Sequence, residues 1–218
     1  MSRLIERLNK DVFSLIVLLP EISVSFARAA ESSGADAICV RFDAEKDKSE
    51  LIELVKAVKV PVGIMFDDGS DVLAERLAAF AKFGFDFIDA KPEVLKRTGG
   101  KPGSGRVGRL LYDFDIEAVS RFSDGDLDAV DAAIIDPETF GGELTVGDLQ
   151  QYITLSITSR LPVIVPAQKT IRVSEIPIVW DTGAKAIMLD AAITGDSLNT
   201  FKTVVAEYKN AVAALKEQ

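Results

Sequence analysis

Eight short apolar, β-branched runs recur along the chain with helix-like segments between them, and this alternation constrains the fold more than any other feature. The runs cover residues 13–19, 37–42, 60–66, 85–90, 107–112, 132–136, 162–165 and 186–190. They are continuous rather than alternating in polarity, which marks strands covered on both faces and hence a parallel sheet. Helical periodicity fills the gaps at 25–33, 49–58, 72–83, 116–122, 146–158 and 198–215. Shorter helices are predicted at 92–97, where Pro92 suits a first turn, and at 176–181. Residues 1–10 predict a helix leading into the first strand, with Leu4, Ile5 and Leu8 on one face.

The sequence also repeats itself. Gly34-Ala-Asp-Ala-Ile, Gly84-Phe-Asp-Phe-Ile and Gly183-Ala-Lys-Ala-Ile introduce the second, fourth and eighth strands, and Val130-Asp-Ala-Ala-Ile is a weaker copy before the sixth. Val60-Pro-Val and Leu161-Pro-Val open the third and seventh. Similar pairs in the two halves resemble a duplicated half-barrel. Eight such units favour a closed barrel; an open doubly wound sheet, which usually needs five or six strands, is the structural alternative. No linker or composition break divides the 218 residues. The expected architecture is therefore α/β: a single (β/α)8 barrel domain over residues 1–218 with an N-terminal helix.

Composition limits the chemistry. Apolar residues make up 48% and charged residues 27%, as in folded globular chains. There is no histidine, which excludes His-based triads, His general bases and His metal ligands. No cofactor is required by the residues present; a metal would need carboxylate and carbonyl oxygens and so be a Mg- or Ca-like ion, with Mg2+ the one expected. The one cysteine, Cys39, lies in an apolar run, so it reads as a buried thiol in a reducing, cytoplasmic setting. A net charge of −9 argues against nucleic acid and anionic membranes as partners. No stretch approaches the ~20 apolar residues that span a bilayer. Residues 13–20 read as a strand rather than a signal peptide, because Glu6, Asp11 and Glu21 interrupt the required pattern.

In such a barrel, active sites gather at the carboxyl ends of the strands. Aligning the repeats on Asp36, Asp86, Asp131 and Lys185 sets Arg41, Lys91, Asp136 and Asp190 five positions later. That register caps four alternate strands with two cations and two carboxylates, costly to build unless paired or used. In the functional reading Lys91 is a base or Schiff-base nucleophile, Asp136 and Asp190 move protons, and Arg41 clamps a carboxylate or phosphate. The opposing reading is a closed ion-pair network that plugs the mouth. Lys169, Thr170 and Thr194, in the loops after the seventh and eighth strands, are candidate phosphate donors, with Asp190 and Asp196 opposing them by charge. Asp67, Asp113 and Asp136 are carboxylates for a divalent ion, although helix caps and solvated loops use such residues too. Gly103-Ser-Gly-Arg-Val-Gly108 spells GxGxxG but precedes a strand, so it fails the dinucleotide context and reads as a flexible loop. The basic cluster around it, Lys96, Arg97, Lys101, Arg106 and Arg109, is expected on the face opposite the active site. Phe140-Gly141-Gly142 reads as a mobile lid or as an ordinary long loop.

These cassettes carry a family resemblance. Ala35-Asp-Ala-Ile-Cys-Val-Arg-Phe, Val60-Pro-Val-Gly-Ile and Gly183-Ala-Lys-Ala-Ile-Met-Leu-Asp-Ala-Ala-Ile-Thr-Gly resemble the ribulose-phosphate-binding TIM barrels, and among them the N-acylmannosamine-6-phosphate 2-epimerases. That family's second-strand arginine is matched by Arg41, and its Ala-Ile-Thr after the eighth strand by Ala192-Ile-Thr194. Its third-strand lysine, its acid-and-glycine motif after the seventh strand and its eighth-strand glycine are not matched; Phe66-Asp67, Pro166-Ala-Gln and Asp190 stand there. The resemblance thus implies the fold and Arg41, not the epimerase activity. Val40-Arg-Phe-Asp43 is also similar to type I dehydroquinate dehydratase, a Schiff-base barrel whose histidine this chain lacks. The expected function is an isomerase, epimerase or lyase acting on a small anionic, phosphorylated metabolite by proton transfer or C–C chemistry. The alternative is a catalytically degenerate barrel serving as a ligand sensor or an assembly subunit, with a homodimer or another protein as partner.

Overall fold

The computed structural model describes residues 2–10, 13–42, 48–66, 80, 82–97, 103–122 and 126–215. Eight parallel strands close into a barrel in chain order: β1 (Ser14–Leu18), β2 (Ala37–Arg41), β3 (Val62–Met65), β4 (Phe87–Ala90), β5 (Gly105–Arg109), β6 (Ala129–Asp131), β7 (Val163–Pro166) and β8 (Ala186–Leu189). β8 pairs back onto β1, with Ser14 opposite Ala186 and Val17 opposite Leu189, so the open-sheet alternative is ruled out. The helices Pro92–Arg97, Val146–Thr158 and Ile176–Asp181 occupy the residues expected of them. The helix expected at 116–122 is a 3-10 helix, Ile116–Arg121, and that at 72–83 lies largely outside the described residues.

Two strands start earlier than their apolar runs suggest. β5 begins at Gly105, so most of the glycine motif is strand rather than flexible loop. β6 ends at Asp131, just before the 132–136 run; residues 132–135 remain buried, and burial without strand pairing gives the same apolar signal.

The two faces of the barrel wall are packed differently. Outside, one continuous apolar shell lies between strands and helices; in it Phe26 of helix Val24–Ser32 meets Phe201 of helix Leu198–Ala214 edge-on at 5.0 Å. Inside, Ile16, Cys39, Met65, Phe87, Val107, Ile164 and Met188 form a second cluster. Leu4, Ile5 and Leu8 of the N-terminal helix Arg3–Leu8 complete it and plug the amino-terminal end of the barrel. Two small residues make this possible. A Cβ on Gly63 would lie 2.1 Å from the Phe87 ring, and one on Gly105 would lie 2.6 Å from Ile5.

Repeated residues serve this same floor. Gly34, Gly84 and Gly183 have φ of 94°, 92° and 87°, the left-handed turn that ends a helix and starts a strand. The aspartates that follow accept backbone hydrogen bonds: Asp36 from Leu15 (2.9 Å), and Asp86 from Arg3 (2.9 Å) and Leu4 (3.0 Å) at the start of the N-terminal helix. Asp128 accepts one from Arg106 (2.9 Å) in the same way. Asp128, not Asp131, is therefore the β6 equivalent of Asp36 and Asp86.

Candidate active site

That three-residue shift redraws the mouth. Counting five positions from Asp128 leads to Ala133 rather than Asp136. Counting three, as from Asp86 to Asp89, leads to Asp131, which projects into the barrel. Asp131 sits opposite Arg109 in the β5–β6 register, and the Arg109 Nε donates to Asp131 Oδ2 at 3.1 Å and lies 3.5 Å from Asp89 Oδ1. Both carboxylates are about 1% exposed. Two buried acids around one guanidinium leave an excess negative charge, and burial holds the Asp131 carboxyl above the usual carboxylate range despite Arg109. Among the described residues no N–H or hydroxyl reaches Asp131 Oδ1 or Asp89 Oδ1, and a hydrogen bond between the two carboxyl side chains lowers the Asp131 pKa against the effect of burial. Cys39 lies beneath as a fully buried thiol, its pKa pushed well up by burial and then by Asp89.

Above this floor opens a cavity of about 970 Å3, lined by Arg41, Arg109, Asp131, Lys169 and Asp190 among apolar Met65, Ile135, Ile171 and Met188. Large cavities with a few converging polar groups are the usual form of small-molecule sites. Arg41 ends β2 and its charge acts on Asp190, whose carboxyl is raised by burial and lowered by backbone N–H groups and Arg41. Asp190 also caps the four-residue helix Ala191–Thr194, accepting from the Ala192 N–H at 3.0 Å. Its own side chain therefore holds the donor that a bound phosphate would use. Lys169 is only 5% exposed, with Nζ 3.8 Å from Asp148 Oδ2. Asp148 is fixed by the capping box it forms with Thr145.

Of the sequence candidates, the structure brings Arg41, Asp190, Lys169 and Thr170 to the wall of one cavity. Lys91 lines an adjoining cavity of about 250 Å3, which shares Arg109, Leu111 and Asp113 with the first. Asp136 caps the 3-10 turn Pro137–Thr139 and hydrogen-bonds the Tyr112 hydroxyl, raising the Tyr112 pKa. Thr170 donates to the Gly141 carbonyl at 2.7 Å, and the fully buried Thr194 donates to the Asp190 carbonyl at 3.0 Å. The loop containing Phe140 and Gly141 is laced to the next one: the Gly141 N–H donates to Gln168, the Thr170 N–H to Gly142, and Arg172 pairs with Glu143. Asp67 and Lys101 lie outside the described residues. No group of three His, Cys, Asp or Glu is placed to hold a metal among the described residues.

The sequence places neither Arg109 nor Asp131 among the mouth residues. Arg109, expected with the basic cluster on the far face, lies instead inside the mouth, at 11% side-chain exposure. The signal was present in Asp128-Ala-Val, which matches the spacing of Asp36-Ala-Ile and Asp86-Phe-Ile. Arg106 is also buried, 3.9 Å from Asp128.

No helix of the described residues is long and apolar enough to cross a membrane. No protein-family model matches the sequence, and no curated protein sequence matches it. Similar solved structures share the whole barrel. Tryptophan synthase from M. tuberculosis in its aminoacrylate-bound form superposes with a TM-score of 0.73 at 15% identity, covering 97% of this chain and 100% of that one. A native KDPGal structure gives 0.72 at 16% identity over 94% and 96%. Phosphoribosyl anthranilate isomerase from Thermus thermophilus gives 0.67 at 14% identity over 92% and 98%. These solved structures thus share the closed (β/α)8 barrel fold with this chain, and none of the three is an N-acylmannosamine-6-phosphate 2-epimerase.

Proposed function

We propose that this barrel is a cytoplasmic enzyme of the isomerase or lyase type, acting on a small anionic, phosphorylated metabolite by proton transfer in the mouth cavity. The observation that carries the reading is Asp131: a buried carboxyl on the cavity wall, raised by desolvation, gripped through Oδ2 by Arg109 and hydrogen-bonded side chain to side chain with Asp89. A perturbed acid in a cleft with a fixed orientation is suited to taking and returning a proton. Arg109 positions it. Arg41 and Lys169 supply the positive charge that holds the anion, and Asp190, half-buried beside Arg41, is the second proton carrier. Lys91 enters only where a substrate reaches past Arg109 into the side cavity. The neighbouring folds include a phosphoribosyl anthranilate isomerase and a tryptophan synthase, so barrels of this shape serve isomerase and synthase chemistry. The reading requires no cofactor; Mg2+ enters as counterion to a phosphorylated ligand.

The test is a thermal-shift screen of sugar phosphates, their unphosphorylated parents, small keto and hydroxy acids and inorganic phosphate, with and without Mg2+. A ligand at ~100 times its Kd stabilises by about 2.7 kcal/mol, a shift of several degrees. The expected result is a shift with an anionic ligand that Arg41→Ala removes, and turnover of that ligand that Asp131→Asn abolishes while binding survives. Binding without turnover in the unaltered protein favours the second reading, a ligand-sensing barrel without catalysis. That reading is favoured by the guanidinium locked between two acids and by Asp190 occupying the helix start.

A further inference from the structure

Helix Val146–Thr158 carries two apolar stripes, and the barrel covers only one of them. Tyr152 and Leu155 face inward and are fully buried. On the other side Val146, Ile153 and Ile157 are 71%, 40% and 79% exposed. With Gln150 they fall at i, i+4, i+7 and i+11, the spacing of a row made for packing against another helix. The sole charged residue of this helix, Asp148, is buried and engaged in the capping box. Its outer face is therefore uncharged, in a chain with 27% charged residues. The next helix in the chain, Ile176–Asp181, also exposes apolar side chains, Ile178 at 46% and Trp180 at 38%. The turn after that helix lies against Val146–Thr158, a Cβ on Gly183 falling 3.1 Å from the Ser156 side chain.

We infer that this flank is the self-association surface of the protein, taking a second copy of the same chain in a twofold, antiparallel helix pairing. Net charge alone opposes a second copy, and the uncharged row with opposite charges at its two ends is what favours one. Two chains of net charge −9 repel each other, least where the surface is neutral. An antiparallel pairing is also self-complementary at its ends. With the axis midway along the row, Val146 meets Ile157 of the second copy and Gln150 meets its Ile153. Arg160, exposed just beyond the carboxyl end, then approaches the exposed Glu143, which pairs with Arg172 of its own chain and precedes the amino end of the other helix. A twofold contact makes each of these pairs twice. Standard interfaces bury about 800 Å2 per partner, so a single row of four residues on one helix gives a weak, concentration-dependent dimer. The flank lies on the outside of the barrel, so this inference stands or falls independently of the chemistry proposed for the mouth.

Sedimentation-velocity runs on the full chain, from micromolar to about millimolar, test it. The expected result is a monomer–dimer equilibrium whose Kd rises at least about tenfold in Ile157→Lys, with an unchanged melting curve because the position is exposed. Arg160→Glu and Glu143→Arg each weaken the homodimer, and mixing the two variants restores association, since every end contact again joins opposite charges. A chain that stays monomeric throughout overturns the assignment and leaves the patch to a different partner or to none. A dimer indifferent to Ile157→Lys, or variants that fail to rescue each other, places the interface elsewhere and overturns it equally.

Discussion

The two ends of this barrel use aspartate in opposite ways. At the amino-terminal floor, Asp36, Asp86 and Asp128 accept backbone N–H groups, and Asp36 also pairs with Arg7 and Lys209 at 2.6 and 2.7 Å. Each has an evident structural task beside a plug of Leu4, Ile5 and Leu8. At the carboxyl-terminal mouth, Asp131 is more deeply buried, shares one guanidinium with Asp89 and faces open space. The lesson is that residue type did not separate structural from functional acids here; hydrogen-bond satisfaction and the neighbouring cavity did.

Substitutions at the two ends test this difference. The largest effect is expected at the mouth: Arg109→Met strands two buried carboxylates and should cost about 3–5 kcal/mol in urea unfolding. A loss near zero would mean that the acids are wetter than their burial indicates. At the floor, Leu4→Ala opens the plug and should cost about 2–5 kcal/mol while leaving any ligand-induced thermal shift intact. If the shift vanished as well, the ends would be coupled and the contrast would fail. Asp86→Ala should cost about 1–2 kcal/mol by freeing the start of the N-terminal helix, again without touching ligand response.

The subtlest effect is a slope. The raised pKa of Asp131 means that the folded chain binds this proton more tightly than the unfolded chain. Its stabilising contribution is full below the ordinary aspartate value of about 3.9 and is lost as pH rises through the folded value. Asp131→Asn cannot titrate, so unfolding free energy measured upward from about pH 4 should fall less steeply in the variant. Parallel slopes in the two proteins would show that Asp131 is ionised throughout.

The fold was legible because burial on both faces writes each strand as an uninterrupted apolar run, and the helices Val146–Thr158 and Ile176–Asp181 could be bounded to the residue. The site was less so. Residues 132–135 are as apolar and buried as a strand without being one, so the β6 cassette was aligned three residues late and Asp136 took the place of Ala133. Gly105 and Gly108 resemble a loop, although in this wall a missing side chain is room: inside, Gly105 admits Ile5, and outside, a Cβ on Gly108 would lie 2.5 Å from Leu127. That misreading moved Arg109 to the wrong end of β5. Strand ends are where periodicity is weakest, and in this fold they are where the chemistry sits.

The pairing of β1 with β8 joins segments separated by almost the whole described chain. A nascent polypeptide emerging from the ribosome can build the outer layers progressively, yet β1 keeps an unsatisfied edge until β8 is available. Such an edge is a template for pairing with other chains, and contacts this distant in sequence form slowly. Synthesis halted before residue 186 would thus leave a sheet with two sticky margins, and it is the last strand that turns an aggregation-prone ribbon into a sealed cylinder.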